Sequence, residues 1–251
     1  MNLNDKVVII TGAKSGIGLA TAVRFAKERA NVVVADVKDA KPEVDQIVRQ
    51  GGRAVFVRVD VSLESQVDAL IERTTAVFGR LDVLVNNAGI ELAKDITHTT
   101  EPEWTRLMEV NLKGVFLCCK AAIPVMRRSG RGVIVNVASE LGLVGGSEIA
   151  AYAASKGGVV QLTKSMAIDH CRDGIRINCV APGPVSTPLL DQIIKSSLNP
   201  ESERQSIVDK TLLKRLARPE EIANVIVFVA SDEASYMTGA VVSVDGGWTA
   251  Q

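Results

Sequence analysis

Short runs of β-branched residues alternate along the chain with stretches whose apolar positions recur at helical spacing. Val7–Thr11 leads through Gly12–Gly18 into a helical stretch reaching Arg29, and Asn31–Asp36 predicts a second strand. A helix over about Pro42–Gln50 precedes a third strand, Arg53–Val59, and an amphipathic helix runs from about Leu63 to Phe78. Leu81–Asn86 is the fourth strand, and one long helix is expected from Pro102 to about Arg128. Gly132–Ser139 and Ile175–Ala181 are strands on either side of a helix over about Ile149–His170. Helix Pro219–Ala230 and strand Ala240–Val244 complete the series.

Near-continuous apolar strands alternating with helices are what a parallel sheet covered on both faces requires. Right-handed crossovers then give an α/β, doubly wound parallel sheet of seven strands, with its binding crevice at the carboxyl ends of the strands. No linker, composition shift or repeat divides residues 1–251, so they read as one domain. Only the segment from about 183 to 218 breaks the rhythm, with helical fragments and no strand. A substrate loop or lid is the expected role of such an excursion, a disordered insertion the alternative.

Composition narrows the function classes. Lys plus Arg equals Asp plus Glu at 29 each, and no long basic run exists, which removes the global electrostatic argument for nucleic acid or an anionic membrane. Hydrophobic residues make up 47%, ample for a core. No basic segment followed by an apolar one opens the sequence, and no apolar run approaches the ~20 residues of a membrane span, so a cytoplasmic, soluble protein is expected. Cysteines 118, 119, 171 and 179 fit no disulfide or metal framework and read as small buried hydrophobes. His98 and His170 lack metal-ligand spacing, so no metal site is expected. Aromatics are too few, at 4%, for a base-stacking surface, and Trp104 and Trp248 read as packing residues.

Gly12, Gly16 and Gly18 directly follow the first strand and open a helix. That arrangement suits a dinucleotide pyrophosphate, because backbone approaches closely and the helix N-terminus offers unpaired N–H groups. Asp36 ends the second strand, where a carboxylate bonds ribose hydroxyls and repels a 2′-phosphate, favouring NAD over NADP. A turn aspartate capping a loop would give the same sequence. Lys14 and Lys38 stand near enough in sequence to reach the ribose and tolerate a phosphate.

Tyr152 and Lys156 lie four apart in a helical stretch and share a face. A phenol is a poor base at neutral pH, and a neighbouring ammonium favours its phenolate, so the pair can exchange a proton with an alcohol or ketone. Ser139 ends the fifth strand at the ligand-binding edge, where it polarises a substrate oxygen or merely caps a turn. Asn111 falls inside the long helix, an unfavourable place that needs a reason: holding a water, or bonding neighbouring backbone.

Taken together, these residues resemble the short-chain dehydrogenase/reductase family in its single-domain form, over essentially the whole chain. TGAKSGIG (Thr11–Gly18) matches the family's TGxxxGxG turn, which implies cofactor contacts from Gly12, Ser15, Gly16, Ile17 and Gly18. Asp60 and Val61 resemble its adenine-side pair, and NNAG (Asn86–Gly89) its sheet and cofactor motif, with Asn87, Ala88 and Gly89 at the cofactor. Asn111, Ser139, Tyr152 and Lys156 fall on the catalytic asparagine, serine, tyrosine and lysine. Pro182, Gly183, Val185 and Thr187, in PGPVSTP, match the nicotinamide-side motif.

The resemblance implies a Rossmann-like fold and NAD-dependent hydride transfer between a secondary alcohol, or its ketone, and the nicotinamide. Tyr152 would be general base or acid, Lys156 would lower its pKa and bond the nicotinamide ribose, Ser139 would orient the substrate oxygen, and Asn111 would link Lys156 to water. It also implies a homotetramer, with a dimer next. Glu140, after Ser139, is charged where many relatives carry a smaller residue. Glu140, Val144 and Glu148, with Glu91 after NNAG, are the expected pocket residues, suited to a polyhydroxylated or cyclic alcohol, with a solvated loop residue the equal alternative for each. Two rivals stand beside this reading: an NADPH-dependent carbonyl or 3-oxoacyl-thioester reductase, against which Asp36 and Ser15 speak, and a non-catalytic NAD-binding sensor, whose expected sign is loss of Tyr152 or Lys156.

Overall fold

The computed structural model describes residues 3–251. Its sheet runs β1 (Val7–Thr11), β2 (Asn31–Asp36), β3 (Arg53–Arg58), β4 (Val83–Asn86), β5 (Gly132–Val137), β6 (Ile175–Pro182) and β7 (Val241–Val244) in chain order. All pairings are parallel and the spatial order is β3-β2-β1-β4-β5-β6-β7. The chain winds outward from β1 to β3, returns, and winds the other way from β4, so the strand order reverses between β1 and β4. A crevice opens at that reversal, beyond the carboxyl ends of the strands.

Alternate side chains of each strand enter opposite layers. Val8, Ile10, Val32, Val34, Val83 and Val85 pack against α1 (Gly16–Lys27), α2 (Lys41–Arg49) and α9 (Pro219–Ala230), where Phe25, Ile47 and Ile226 are buried. Ile9, Val33, Leu84, Ile134 and Ile177 face α3 (Glu64–Phe78), α5 (Gly114–Arg128) and α6 (Ala150–His170), meeting Leu70, Leu117 and Val159. Two covered faces explain why the strands read as continuous apolar runs. The two edge strands are the exceptions: β3 is only partly buried and bounded by exposed Arg53 and Arg58, and β7 is only partly buried around exposed Ser243.

The stretch expected as one helix from Pro102 is continuous but not uniform. α4 (Glu101–Met108) starts with a capping box, in which the Thr100 N–H donates to Glu103 Oε2 at 3.0 Å and Thr100 Oγ1 accepts from the Glu103 N–H at 3.4 Å. A π-helical turn, Glu109–Lys113, then separates α4 from α5. Between residues 183 and 218 the chain forms α7 (Pro188–Ser196) and α8 (Pro200–Asp209), with one isolated parallel bridge, Val185 to Ala217. Cys118, Cys119 and Cys179 are buried as expected, but Cys171 is exposed, because it follows the last turn of α6 and packs under nothing. Among the described residues, no helix is long and apolar enough to cross a membrane.

Candidate active site

The turn between β1 and α1 is fixed by the loop after β4. Thr11 Oγ1 accepts from the N–H groups of Asn87 (3.0 Å) and Ala88 (3.1 Å), and Asn87 Nδ2 donates to the carbonyls of Thr11 (3.0 Å) and Gly12 (3.1 Å). Gly12 sits at φ +63°, and a Cβ there would lie 2.7 Å from Ala88 Cα. A Cβ on Gly18 would lie 2.3 Å from the Gly12 carbonyl oxygen. Both positions therefore require glycine. At the start of α1, Ser15 makes no side-chain cap and no acid occupies the first turn. The helix thus presents uncapped N–H groups and its positive end to a cleft of about 500 Å³, a cradle that fits a pyrophosphate.

At the far end of this cleft, Asp36 is both loop cap and lining residue. Its carboxylate accepts the N–H of Lys14 at 3.0 Å and of Lys38 at 2.9 Å, which leaves lone pairs for ribose hydroxyls. Lys14 and Lys38 line the same region, but the Lys14 ammonium is engaged by the Asp39 carbonyl and by Glu43 at 3.3 Å. Asp60 accepts from Ser62 Oγ at 2.6 Å and from Arg106 at 3.1 Å. Burial works against its ionisation, but these donors outweigh it and hold the carboxyl below its usual range.

The opposite end gathers the ionisable groups. Lys156 Nζ lies 5.7 Å from the centre of the Tyr152 ring and donates to the Val137 carbonyl at 3.0 Å. Burial lowers the lysine to about 8, against the upward pull of Cys179, Glu91 and Glu140. Burial also raises the Tyr152 phenol well above its usual value; Glu91 and Glu140 add to the rise, and the Ser139 hydroxyl opposes it. The lysine was expected to lower this phenol. In the structure Lys156 is not among the groups that shift the phenol, and desolvation with two carboxyls sets the direction. Glu91 is itself raised to about 7 by burial, opposed by Lys156. Glu140 reaches about 7 through burial, with Glu91 adding and Ser139 opposing.

Asn111 is fully buried in the π turn. Its Oδ1 accepts from the Ile90 N–H at 2.8 Å, and its Nδ2 donates to the Ile90 carbonyl at 2.9 Å and to Ser155 Oγ at 3.1 Å. Ser155 Oγ in turn donates to the Tyr152 carbonyl at 2.7 Å. The asparagine therefore ties the loop after β4 to the helix carrying Tyr152 and Lys156. A Cβ on Gly89 would stand 3.4 Å from both Asn111 Oδ1 and Lys156 Nζ, so the two polar groups border one gap that glycine keeps open.

Most of the expected site residues meet in this one cleft. Gly12, Ser15, Gly16, Ile17, Asp36, Asp60, Val61, Asn87, Ala88 and Gly89 line it from the β1–β4 side. Glu91, Ser139, Glu140, Tyr152, Lys156, Pro182, Gly183, Val185 and Thr187 line the other. Gly18 and Asn111 lie behind the wall. Val144 and Glu148 are exposed and do not line the cleft: beyond the short turn Glu140–Gly142 the chain runs out into solvent, with Glu148 at φ +54°. The sequence did not single out Arg106, Leu189 or Ile207, and it marked Trp248 for packing alone, yet all four line the cleft. Leu189 and Ile207 come from the excursion between 183 and 218, whose helical fragments gave no signal of which side faces inward.

This geometry has close parallels. The family model described as enoyl-(acyl carrier protein) reductase matches residues 12–249. The chain is 45% identical to a cis-4-hydroxycyclohexanecarboxylate dehydrogenase of Sinomonas cyclohexanicum, covering 98% of this chain and 97% of that one. It is 42% identical to a cyclopentanol dehydrogenase of Comamonas testosteroni, covering 99% and 98% respectively. The crystal structure of a levodione reductase superposes with a TM-score of 0.95 at 39% identity, over 99% of both chains. With the sheet order, the glycine turn and the Ser139–Tyr152–Lys156 cluster in one cleft, these matches show that the chain belongs to the short-chain dehydrogenase/reductase family and is an oxidoreductase.

Proposed function

We propose that the protein is an NAD-dependent dehydrogenase that moves hydride between a secondary alcohol, or its ketone, and the nicotinamide. The observation that carries this reading is the convergence of Tyr152, Lys156 and Ser139 on the cleft whose other end holds the glycine turn and Asp36. A bound dinucleotide supplies the hydride acceptor or donor. The chain's own residues do the rest. The α1 N-terminus holds the pyrophosphate, and Asp36 accepts from ribose hydroxyls where a 2′-phosphate would meet its charge. Tyr152 takes the proton from an alcohol or gives it to a carbonyl oxygen. Ser139 stands beside the phenol, where its hydroxyl orients the reacting oxygens.

Leu189, Ile207 and Trp248 add apolar wall to a cleft that also holds Glu91 and Glu140. That mixture supports a cyclic or polyhydroxylated secondary alcohol, and the ring-containing substrates in the names of the relatives favour a cyclic one. The open apolar groove between α4–α5 and α6, with Trp104, Met108, Leu112 and Phe116, supports one pairing face with a second copy, as a homotetramer or a dimer needs.

The test is NADH formation from NAD with a panel of cyclic alcohols, diols, sugars and hydroxy acids, repeated with NADP. Wild type should turn over a cyclic or diol member and prefer NAD. Tyr152→Phe should fold and bind NAD yet lose about 10³-fold or more in kcat. Activity within a few-fold of wild type in that variant would sink the assignment.

A further inference from the structure

The lysine in the glycine turn is not free to meet an anion in the cleft. Lys14 lines the cleft beside Asp36, and its main-chain N–H donates to Asp36 Oδ2 at 3.0 Å. Its ammonium is engaged elsewhere, by the Asp39 carbonyl and by Glu43 Oε1 at 3.3 Å. Glu43 lies in the first turn of α2, where the positive end of the helix favours a carboxylate. Its other oxygen, Oε2, is buried and accepts no hydrogen bond among the described residues. An ordinary surface ion pair leaves both carboxylate oxygens in water. Here one is sealed off without a partner, a cost that the contact with Lys14 has to offset. Lys38, the second lysine of this end, is exposed on the loop after β2 and donates its own main-chain N–H to Asp36 Oδ1 at 2.9 Å.

We propose that Glu43 is a positioning residue for cofactor choice: by holding the Lys14 ammonium it withholds that cation from a ribose 2′-phosphate and leaves the Asp36 charge unopposed. This rests on the NAD-dependent reading given above.

Selectivity between two dinucleotides is a difference of affinities, set by repulsion of the wrong one as much as by contacts to the right one. Asp36 supplies the repulsion. A lysine ammonium turned toward the same place would cancel it. Glu43 is the one charged partner of that ammonium among the described residues, the Asp39 carbonyl being neutral. Without the Glu43 charge the ammonium keeps only the carbonyl, and a phosphate, through a charge-assisted bond, outcompetes a neutral acceptor. Glu43 does not itself line the cleft, so its effect passes through Lys14. Energetic coupling between positions 14 and 43 is the signature.

The experiment is isothermal titration of NAD, NADP and adenosine 2′,5′-bisphosphate into the protein, with Asp36→Ser as the background that removes the dominant repulsion. In that background Glu43→Gln should tighten NADP and the bisphosphate about tenfold and leave NAD within about twofold. Adding Lys14→Met should abolish the gain. A gain that survives Lys14→Met would mean that the Glu43 charge acts on the phosphate directly, and it overturns the proposal, as does the absence of any gain. With Asp36 in place, Glu43→Gln alone should still tighten the bisphosphate about threefold. No change there overturns the proposal even if Asp36→Ser fails to fold. A wild-type protein that binds neither dinucleotide, or binds NADP as tightly as NAD, overturns the NAD-dependent reading itself and takes the proposal with it.

Discussion

The two ends of the cleft are built from different materials. Around β1 and β2 the surface is mostly backbone: a glycine turn, the start of α1, and an aspartate whose oxygens accept main-chain N–H groups. Around β5 and α6 it is side chain, with Tyr152, Lys156, Glu91 and Glu140 all shifted by burial and by one another. The backbone end is a fixed shape, held by Asn87 and Ala88 from the loop after β4, and it leaves no room for an added atom at Gly12 or Gly18. The ionisable end is specified by environment, and small changes retune it without displacing anything.

The sharpest way to break the backbone end is Gly18→Ala. A Cβ at 2.3 Å from the Gly12 carbonyl oxygen forces the turn open. NAD affinity, read by fluorescence titration, should fall at least about 100-fold, and stability by roughly 1–3 kcal/mol. A variant that binds NAD normally would show the turn to be adaptable. A milder change is Asp36→Ser, which removes the charge but keeps an acceptor. The ratio of kcat/KM for NAD over NADP should drop about tenfold to 100-fold, with kcat on NAD little altered; an unchanged ratio would reduce Asp36 to a loop cap.

The ionisable end predicts the smallest effect, and one of opposite sign. Glu91 has its carboxyl raised above the ordinary range in the folded protein, so the fold binds a proton that the unfolded chain has released. Stability therefore falls as pH rises from the ordinary carboxyl value to about 7, and the penalty is complete above that. Glu91→Gln should stabilise the protein by on the order of 1 kcal/mol at about pH 8 and leave it unchanged at about pH 4, read as a shift in Tm. Stabilisation that is the same at both values would mean that packing, not charge, is responsible.

This contrast also separates what the sequence disclosed from what it did not. The strands were legible because both faces are covered, leaving runs such as VVIIT and NVVVAD with no polar alternation. The glycine turn and the Tyr152–Lys156 spacing are local patterns, so they too were visible. Glu91 and Glu140 could be named for one pocket, but the upward shift of their carboxyls could not, because it depends on how deeply the fold buries them. Nor could the direction of the Tyr152 shift, which depends on solvent exclusion and not on which residue is four positions away. Val144 and Glu148 share a segment with Glu140, but segment membership says nothing about which side chains turn inward.

The π turn at Glu109–Lys113 hid inside an otherwise regular apolar period, and it carries a consequence for insertions and deletions. One residue of an α-helix corresponds to a rotation of about 100°. The apolar stripe of α5, with Leu117, Cys118 and Ala122, is therefore indexed to α4 through one surplus residue. Removing one residue from this turn would let the helix close to α geometry with the α5 stripe still facing the core, but it would take away the widened turn that sets Asn111, whereas adding one would turn the stripe by about that angle. Substitutions along α4 and α5 can be absorbed one at a time, but the residue count between them cannot drift. The number of residues there is as much a part of the site as the identity of Asn111.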